Sequence, residues 1–451
     1  MFRLPKDTEL TIEILDYFIG KHREEVTDRY EMRDKEYKSE HDILTWPKKP
    51  AYKPDNRIVV NFHKYIVDTT NGFFIGNPIK YGADDEAVSD YVQFLNKYNS
   101  QDDKDAELSK LCCKFGKGFE MYYPDEEAVP CTTFLTPLEA FMIYDDSIIE
   151  REMYFVRRYT DWKGNEFGSV SNNWGVRHFT ITGGTRWTDE WTPHHFDGVP
   201  ATEFIENEER QSVTEPILTM AAAYNKALSE KANDVDYFAD AYMKIFGPKL
   251  DGEEIRYIRD TRIINFDGED AEKIIAEFMD KPSNDAAQEN LLDRLERHIF
   301  TFGMVPDISD ENFGTDSGIA MLYKMWSTSN RGKTKERKFT AGLNRRYKLL
   351  FSYPTSKVPA DSWVQLDYTF TPNIPANVKE EVEIAQGLEG IASRHTQLKV
   401  LSVVDNVQDE LDVIEEENKP DENDPVMNTM FGVADTLKAT ETEEVVNDEQ
   451  P

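Results

Sequence analysis

SVTEPILTMAAAYNKALSEKANDVDYFADAYMKI (212–245) and DAAQENLLDRLERHIFTFG (285–303) are the two stretches on which the fold reading turns. The first opens on Ser212-Val-Thr-Glu215 with Pro216 behind it. A Ser followed three residues later by Glu is a capping box, and Pro is preferred in a first helical turn. Ile217, Ala221, Tyr224, Leu228, Val235, Phe238 and Tyr242 then recur on one face. That spacing predicts a helix over 214–245, about 45 Å long at 1.5 Å per residue. In the second stretch Leu291, Leu292, Leu295, Ile299 and Phe302 predict a helix over 285–302, stopped at Gly303. Between them lie MKIFG, IRDTRIINF and a short helical run from Ala271 to Met279, a small α/β module over 246–283. Two long helices with a module at their tip make an elaborated hairpin.

Upstream, residues 8–38 read as a helix capped by Thr8, with Leu10, Ile14, Leu15, Phe18 and Ile19 on one face. Beyond His22 the pattern is so charged that a solvated arm is expected. A proline-rich loop (46–54) leads to a helix over 57–71, stopped at Gly72, and FFIGNPIKYG (73–82) reads as a strand and turn. Helices are expected at 85–99 and 103–115. From Gly116 to Glu206, short β-rich runs such as FEMYY, EAFMIYDD and EMYFVRRY alternate with Gly, Asn and Asp turns, an antiparallel β region. Downstream, MVPDISDENFGTDSG (304–318) is a loop, 319–351 a long helix, VQLDYTFT (364–371) a strand, and 376–389, 393–404 and 406–417 helices. The class is α+β, mainly helical. Residues 405–451 carry 16 acids and 2 bases, and from Pro420 a disordered acidic tail is expected.

The 451 residues include 26 Phe, 21 Tyr and 7 Trp, too many large rings for a wholly disordered chain. With 52 Lys plus Arg against 86 Asp plus Glu, the net charge of −34 argues against a tight non-specific DNA clamp. Three cysteines (Cys112, Cys113 and Cys131) without a CxxC spacing fit a reducing compartment rather than a disulfide framework. No secretory signal and no membrane span are expected.

Catalytic signatures are sparse. Gly332-Lys333-Thr334 lacks the first glycine of a phosphate loop, since position 327 is Ser327. Gly116-Lys117-Gly118 reads as a turn, and His194-His195 is a pair whose side chains diverge on a strand. Asp84-Asp85, Asp102-Asp103 and Asp145-Asp146 read as solvated surface or turns. No metal, no cofactor and no enzymatic activity are expected. One feature departs from this background. Between Ile319 and Phe351 nine bases, among them Lys324, Arg331, Lys333 and Lys335, face a single acid, Glu336. The run reads as a solvated face or as contacts to phosphate or to an acidic neighbouring subunit.

Four segments in order resemble the portal proteins of tailed bacteriophages, in the branch found in long-tailed phages of Gram-positive hosts. They are KPDNRIVVNFHKYIVDTTNGFFIGNPIKY (53–81), FGKGFEMYYPDEE with TPLEAFMIYDDS (115–127 and 136–147), VPDISDENFGTDSGIAMLYKM (305–325) and LDYTFTPNIPANVKEEVEIAQGLEGIASRHTQL (366–398). The resemblance spans about residues 8–417. It implies a homo-oligomeric ring, usually of twelve subunits, at one capsid vertex. Double-stranded DNA is packaged and ejected through its channel. Terminase, head-completion or adaptor proteins, and major capsid and scaffolding proteins are the implied partners. The implied location is the virion, with the host cytoplasm during assembly.

The implied parts are a wing (1–213), a first stem helix (214–246), a clip (247–283), a second stem helix (284–304) and a tunnel loop (305–318). A kinked long helix (319–352, with Gly332 and Gly342 as weak points), a wing strand with helical crown (353–417) and the tail (418–451) complete them. Pro306, Asp307, Asp310, Glu311, Asn312, Gly314, Ser317 and Gly318 are the implied channel residues, and Arg256, Arg259 and Arg262 the implied docking residues of the clip. The alternative reading is another structural virion or head-assembly protein without a channel.

Overall fold

A computed structural model describes residues 1–50, 53–239, 243–246, 252–253, 275–278, 285–307, 323–374, 378–401, 403–404 and 407–417. Among the described residues helix predominates over strand, which makes the fold α+β and mainly helical. It divides into two units, Met1–Asn373 and Ile374–Pro451.

The first unit begins with a strand that the sequence pattern did not reveal. β1 (Phe2–Leu4) runs parallel to a strand far along the chain, Phe2 opposite Ile143. Thr11, not Thr8, caps α1 (Ile12–Glu25) by accepting from the Ile14 amide. A π turn (Val26–Tyr30) carries the helical path into α2 (Glu31–Tyr37). The solvated arm expected beyond His22 is not found, because His22, Val26, Tyr30 and Arg33 are buried. Their spacing of four, four and three keeps one inward stripe among the charges.

Residues 57–60 are extended rather than helical, and α3 (Phe62–Ile75) starts at Asn61, whose side chain accepts from the Lys64 amide. Gly72 lies inside this helix and Gly76 ends it, so 73–75 are helix, not strand. β2 (Lys80–Gly82), α4 (Glu86–Asn99) and α5 (Gln101–Phe115) follow, close to expectation.

The β region is antiparallel and forms two sheets. It comprises β3 (Lys117–Pro124), β4 (Pro130–Leu135), β5 (Ala140–Asp145), β6 (Glu152–Thr160), β7 (Glu166–Ser171), β8 (Gly175–Thr180), β9 (Arg186–Trp187), β10 (Thr192–Pro193) and β11 (Ala201–Ile205). One sheet has the order β1-β5-β6-β7-β8-β10, with β9 on β8; the other has the order β11-β3-β4.

α6 (Leu218–Ala239) follows a short 3-10 turn, and Glu215 pairs with Arg33 at 2.9 Å instead of closing a capping box. β12 (Met243–Phe246) and β13 (Ile275–Phe278) form an antiparallel pair. Both are corrections: the first helix was expected to reach 245 and a helix was expected at 271–279. β-branched and aromatic residues in MKIF and IAEF satisfy their backbones across a ladder instead. α7 (Asp285–Gly303) packs against α6, and α8 (Trp326–Ser352) is an unbroken helix. Its glycines serve packing. A Cβ at Gly342 would sit 2.4 Å from the Phe204 ring, and one at Gly332 would sit 2.9 Å from Phe73. β14 (Asp367–Thr369) pairs with β2.

The second unit holds α9 (Val378–Gly387), α10 (Arg394–Lys399, capped by Ser393) and α11 (Val407–Glu417). The expected tail beyond 417 lies outside the described residues, as do Arg256, Arg259 and Arg262.

Candidate functional site

The chain leaves α7 through residues 304–307, a tightly held root of the expected tunnel loop. Gly303 packs against Ile66, where a Cβ would come within 2.7 Å of the Ile66 side chain. The Gly303 carbonyl accepts from Arg331 Nη1 at 2.7 Å, and the Met304 carbonyl accepts from Thr328 Oγ1 at 2.8 Å. Helix-terminal carbonyls need such outside donors. Met304 takes a left-handed φ of 54°, Val305 is buried, and the Pro306 carbonyl accepts from the Tyr65 hydroxyl at 3.3 Å. Three segments, α3, α7 and α8, therefore fix where the loop begins. Beside it opens a cavity of about 710 Å³ lined by Asp293, Glu296, Arg297, Phe300, Asp307 and Lys324. Burial, reinforced by Asp307, raises the Glu296 carboxyl above its usual range. Of the eight loop residues, Pro306 and Asp307 are described. Asp310, Glu311, Asn312, Gly314, Ser317 and Gly318 lie outside the described residues.

The bases of α8 divide by face, and here the surface reading needs correction. Lys335 is 1% exposed and pairs with Glu206 at 2.8 Å, with Cys113 Sγ and the Ser109 carbonyl also in reach. Burial, with the Glu206 carboxylate nearby, pushes the Cys113 thiol up to about 12, so Lys335 meets a neutral thiol. Arg331 spends its guanidinium on the Gly303 carbonyl. Both are turned inward rather than toward phosphate. Lys333 is exposed and pairs with Glu336 at 2.8 Å.

Deeper along α8, Arg346 is fully buried, held by Asp105 at 2.5 Å and Glu120 at 2.6 Å. Gln101 donates to both carboxylates, Tyr81 donates to Asp105, and Tyr122 donates to Glu120. Burial pushes the Glu120 carboxyl up against the pull of Arg346. Breaking such a network leaves a charge that nothing else in the core can satisfy. The partners Asp105, Glu120 and Glu206, and the anchor Thr328, were not singled out from sequence, and Tyr65 only as an inward position of its helix. The only trace of them was a long helix carrying more bases than its own acids could answer.

Catalytic geometry is not assembled by the motifs considered. Gly332-Lys333-Thr334 is in the middle of α8, where backbone amides are already bonded along the helix and are not free to cradle phosphate. Gly116 adopts φ 87° against the Arg210 carbonyl, and Lys117 faces Glu203 at 3.6 Å. Asp145 is buried rather than solvated; it holds its own turn by accepting from Ser147 and from the Arg151 amide. Asp85 caps α4, and His194 is buried with its ring on the Asn172 carbonyl. The three cysteines are free thiols. Among the described residues, no cluster of three His, Cys, Asp or Glu is placed to hold a metal ion, and no helix is long and apolar enough to cross a membrane.

Comparison with known proteins gives this geometry its setting. The portal protein of Clostridium phage phiCD119 is 24% identical over 415 residues, covering 82% of this chain and 86% of that protein. The portal protein of Bacillus phage SPP1 is 26% identical over 402 residues, covering 81% and 76%. A family model described as phage portal protein, SPP1 Gp6-like, matches residues 16–424, and with nine-tenths of its length inside that match the chain belongs to this portal protein family.

Proposed function

We propose that this chain is the repeating subunit of a portal ring, usually twelve copies, at one capsid vertex. Double-stranded DNA enters and leaves through the axial channel. The observation that carries this reading is the antiparallel pair α6–α7 inside the family match: its far end bears the β12–β13 ladder and its near end returns to α3 and α8. In this reading α6 and α7 are the stem, 247–283 is the clip where terminase and then head-completion proteins dock, and 305–318 is the tunnel loop. Residues 1–213 with 353–373 form the wing, and the helices of the second unit form the crown. Capsid and scaffolding proteins surround the assembly in the virion. The ring hydrolyses no nucleotide; a docked terminase supplies that chemistry.

The charge balance supports a conduit. A chain at −34 repels the duplex weakly and at short range, about 8 Å at physiological salt, so DNA slides rather than sticks. Negative-stain microscopy of the purified protein tests the reading. Rings with a central hole are expected, whereas a uniform monomer favours a virion protein without a channel. Asp310→Lys with Glu311→Lys should leave rings intact and shorten the packaged genome. Normal packaging by that double variant would remove 305–318 from the DNA path.

A further inference from the structure

Two faces of the first unit carry opposite charge and point away from each other. The exposed edge of α8 presents Lys333, Arg337 and Lys348. Arg337 lies two residues from Lys335 and from Phe339, both buried, and Lys348 lies two residues from Arg346 and from Leu350, both buried. At 100° per residue that offset is about 200°, so these cations face straight out. Among the described residues Arg337 and Lys348 form no ion pair.

The opposite face belongs to α1–α2. Asp28, two residues from the buried Val26 and Tyr30, points outward together with Glu31. Neither is ion-paired among the described residues. Beside them is a cavity of about 400 Å³ whose wall sets Asp28, Glu31, Glu36, Glu40 and Asp42 against a single base, Lys35, and includes the half-exposed Trp46. On the cavity wall His41 (8% exposed) leaves its Nε2 atom without a hydrogen-bond partner among the described residues. A ring nitrogen of His41 that can accept, set beside a carboxylate wall, suits a cationic guest that also donates hydrogen bonds.

α5 sets the two faces apart. Ser109 and Cys113 of α5 touch Lys335 on α8, while Leu111 and Phe115, about 200° round the same helix, pack against Val26 and Tyr30. α5 is thus sandwiched, and the acidic and basic surfaces look outward in opposite directions. A closed ring joins two different faces of each subunit, head to tail. We propose that the acid-walled face of α1–α2 in one copy receives the Lys333–Arg337–Lys348 edge of α8 from a second copy, with a basic side chain entering the cavity beside Trp46. This rests on the ring reading above and adds which surfaces meet.

The test uses the full-length chain and sedimentation velocity. Glu31→Arg and Arg337→Glu, each alone, should raise the concentration needed for half assembly roughly tenfold, and the two combined in one chain should restore it. Circular dichroism melts should match the parent, since both sites are exposed. As a second readout, a chain carrying Glu31→Cys with Arg337→Cys should give a ladder of covalent oligomers with a short bismaleimide, and each single cysteine should not. Parent rings with both charge variants assembling normally, or no ladder, overturn the proposal while leaving the ring intact. A parent that never assembles overturns the ring reading as well. Arg337→Glu rings that assemble normally but lose packaged DNA assign the edge to the duplex instead, and overturn it too.

Discussion

The inward and outward faces of α8 carry the same residue types and do opposite work. Arg346 and Lys335 are closed in by carboxylates, ring faces and carbonyls, whereas Arg337 and Lys348, each two residues from one of them, are exposed and form no ion pair among the described residues. A buried cation is tied to its partners because water cannot replace them, and an exposed one is left available because water already solvates it. A single helix can therefore hold a fold together on one side and remain free to recognise something on the other. Charge runs read from sequence merge these two roles.

The sharpest way to break the contrast is Arg346→Met. It strands Asp105 and Glu120 in the core and should cost about 3–5 kcal/mol in urea unfolding. Adding Asp105→Asn and Glu120→Gln should recover most of that loss. If the single variant unfolds like the parent, the network is not holding the fold. Gly342→Ala comes next: the new methyl meets the Phe204 ring and should cost about 1–3 kcal/mol, partly relieved by Phe204→Leu. The loop root offers a smaller effect. Thr328→Val removes the donor to the Met304 carbonyl, should cost about 1 kcal/mol, and should speed amide exchange at Val305 selectively.

A pH test probes the acidic wall opposite. Burial pushes the Glu36 carboxyl up to about 7, with Asp42 and Glu215 adding to the rise and Arg33 opposing it. His63 faces it at 3.7 Å, its own pKa lowered by burial to about 3. Between the ordinary carboxylate range and pH 7 the folded chain holds the Glu36 proton that the unfolded chain has released. Its contribution therefore falls as pH rises through that window. Glu36→Gln should flatten that part of the melting curve and raise the midpoint above pH 7. An unchanged profile would place Glu36 in the ordinary range. The smallest effect belongs to Arg337→Ala, which should shift urea stability by no more than about 0.5 kcal/mol. A larger shift would mean that the outward face is also part of the fold.

The paired helices and the antiparallel region were legible because each depends on periodicity or on Gly and Pro chemistry that neighbours in sequence express. The errors cluster where distant residues supply the deciding bonds. The pattern at 57–60 predicts helix, yet the backbone there runs extended along α6. Asn225, Ser229 and Asn233, one helical turn apart, accept from the amides of Val60, Ile58 and Asn56. Phe2–Leu4 is a strand only because β5 lies beside it.

From its order of residues alone this chain is determined to be acidic, α+β and built around a helical hairpin, since composition and local spacing are properties of neighbours in sequence. Tertiary structure alone decided which of the eight bases on α8 became core and which stayed free. Asp105, Glu120 and Glu206 stand well over a hundred residues from the cations they hold. The energy of a charge depends on whether water or a partner surrounds it, and that is settled only when the chain is folded.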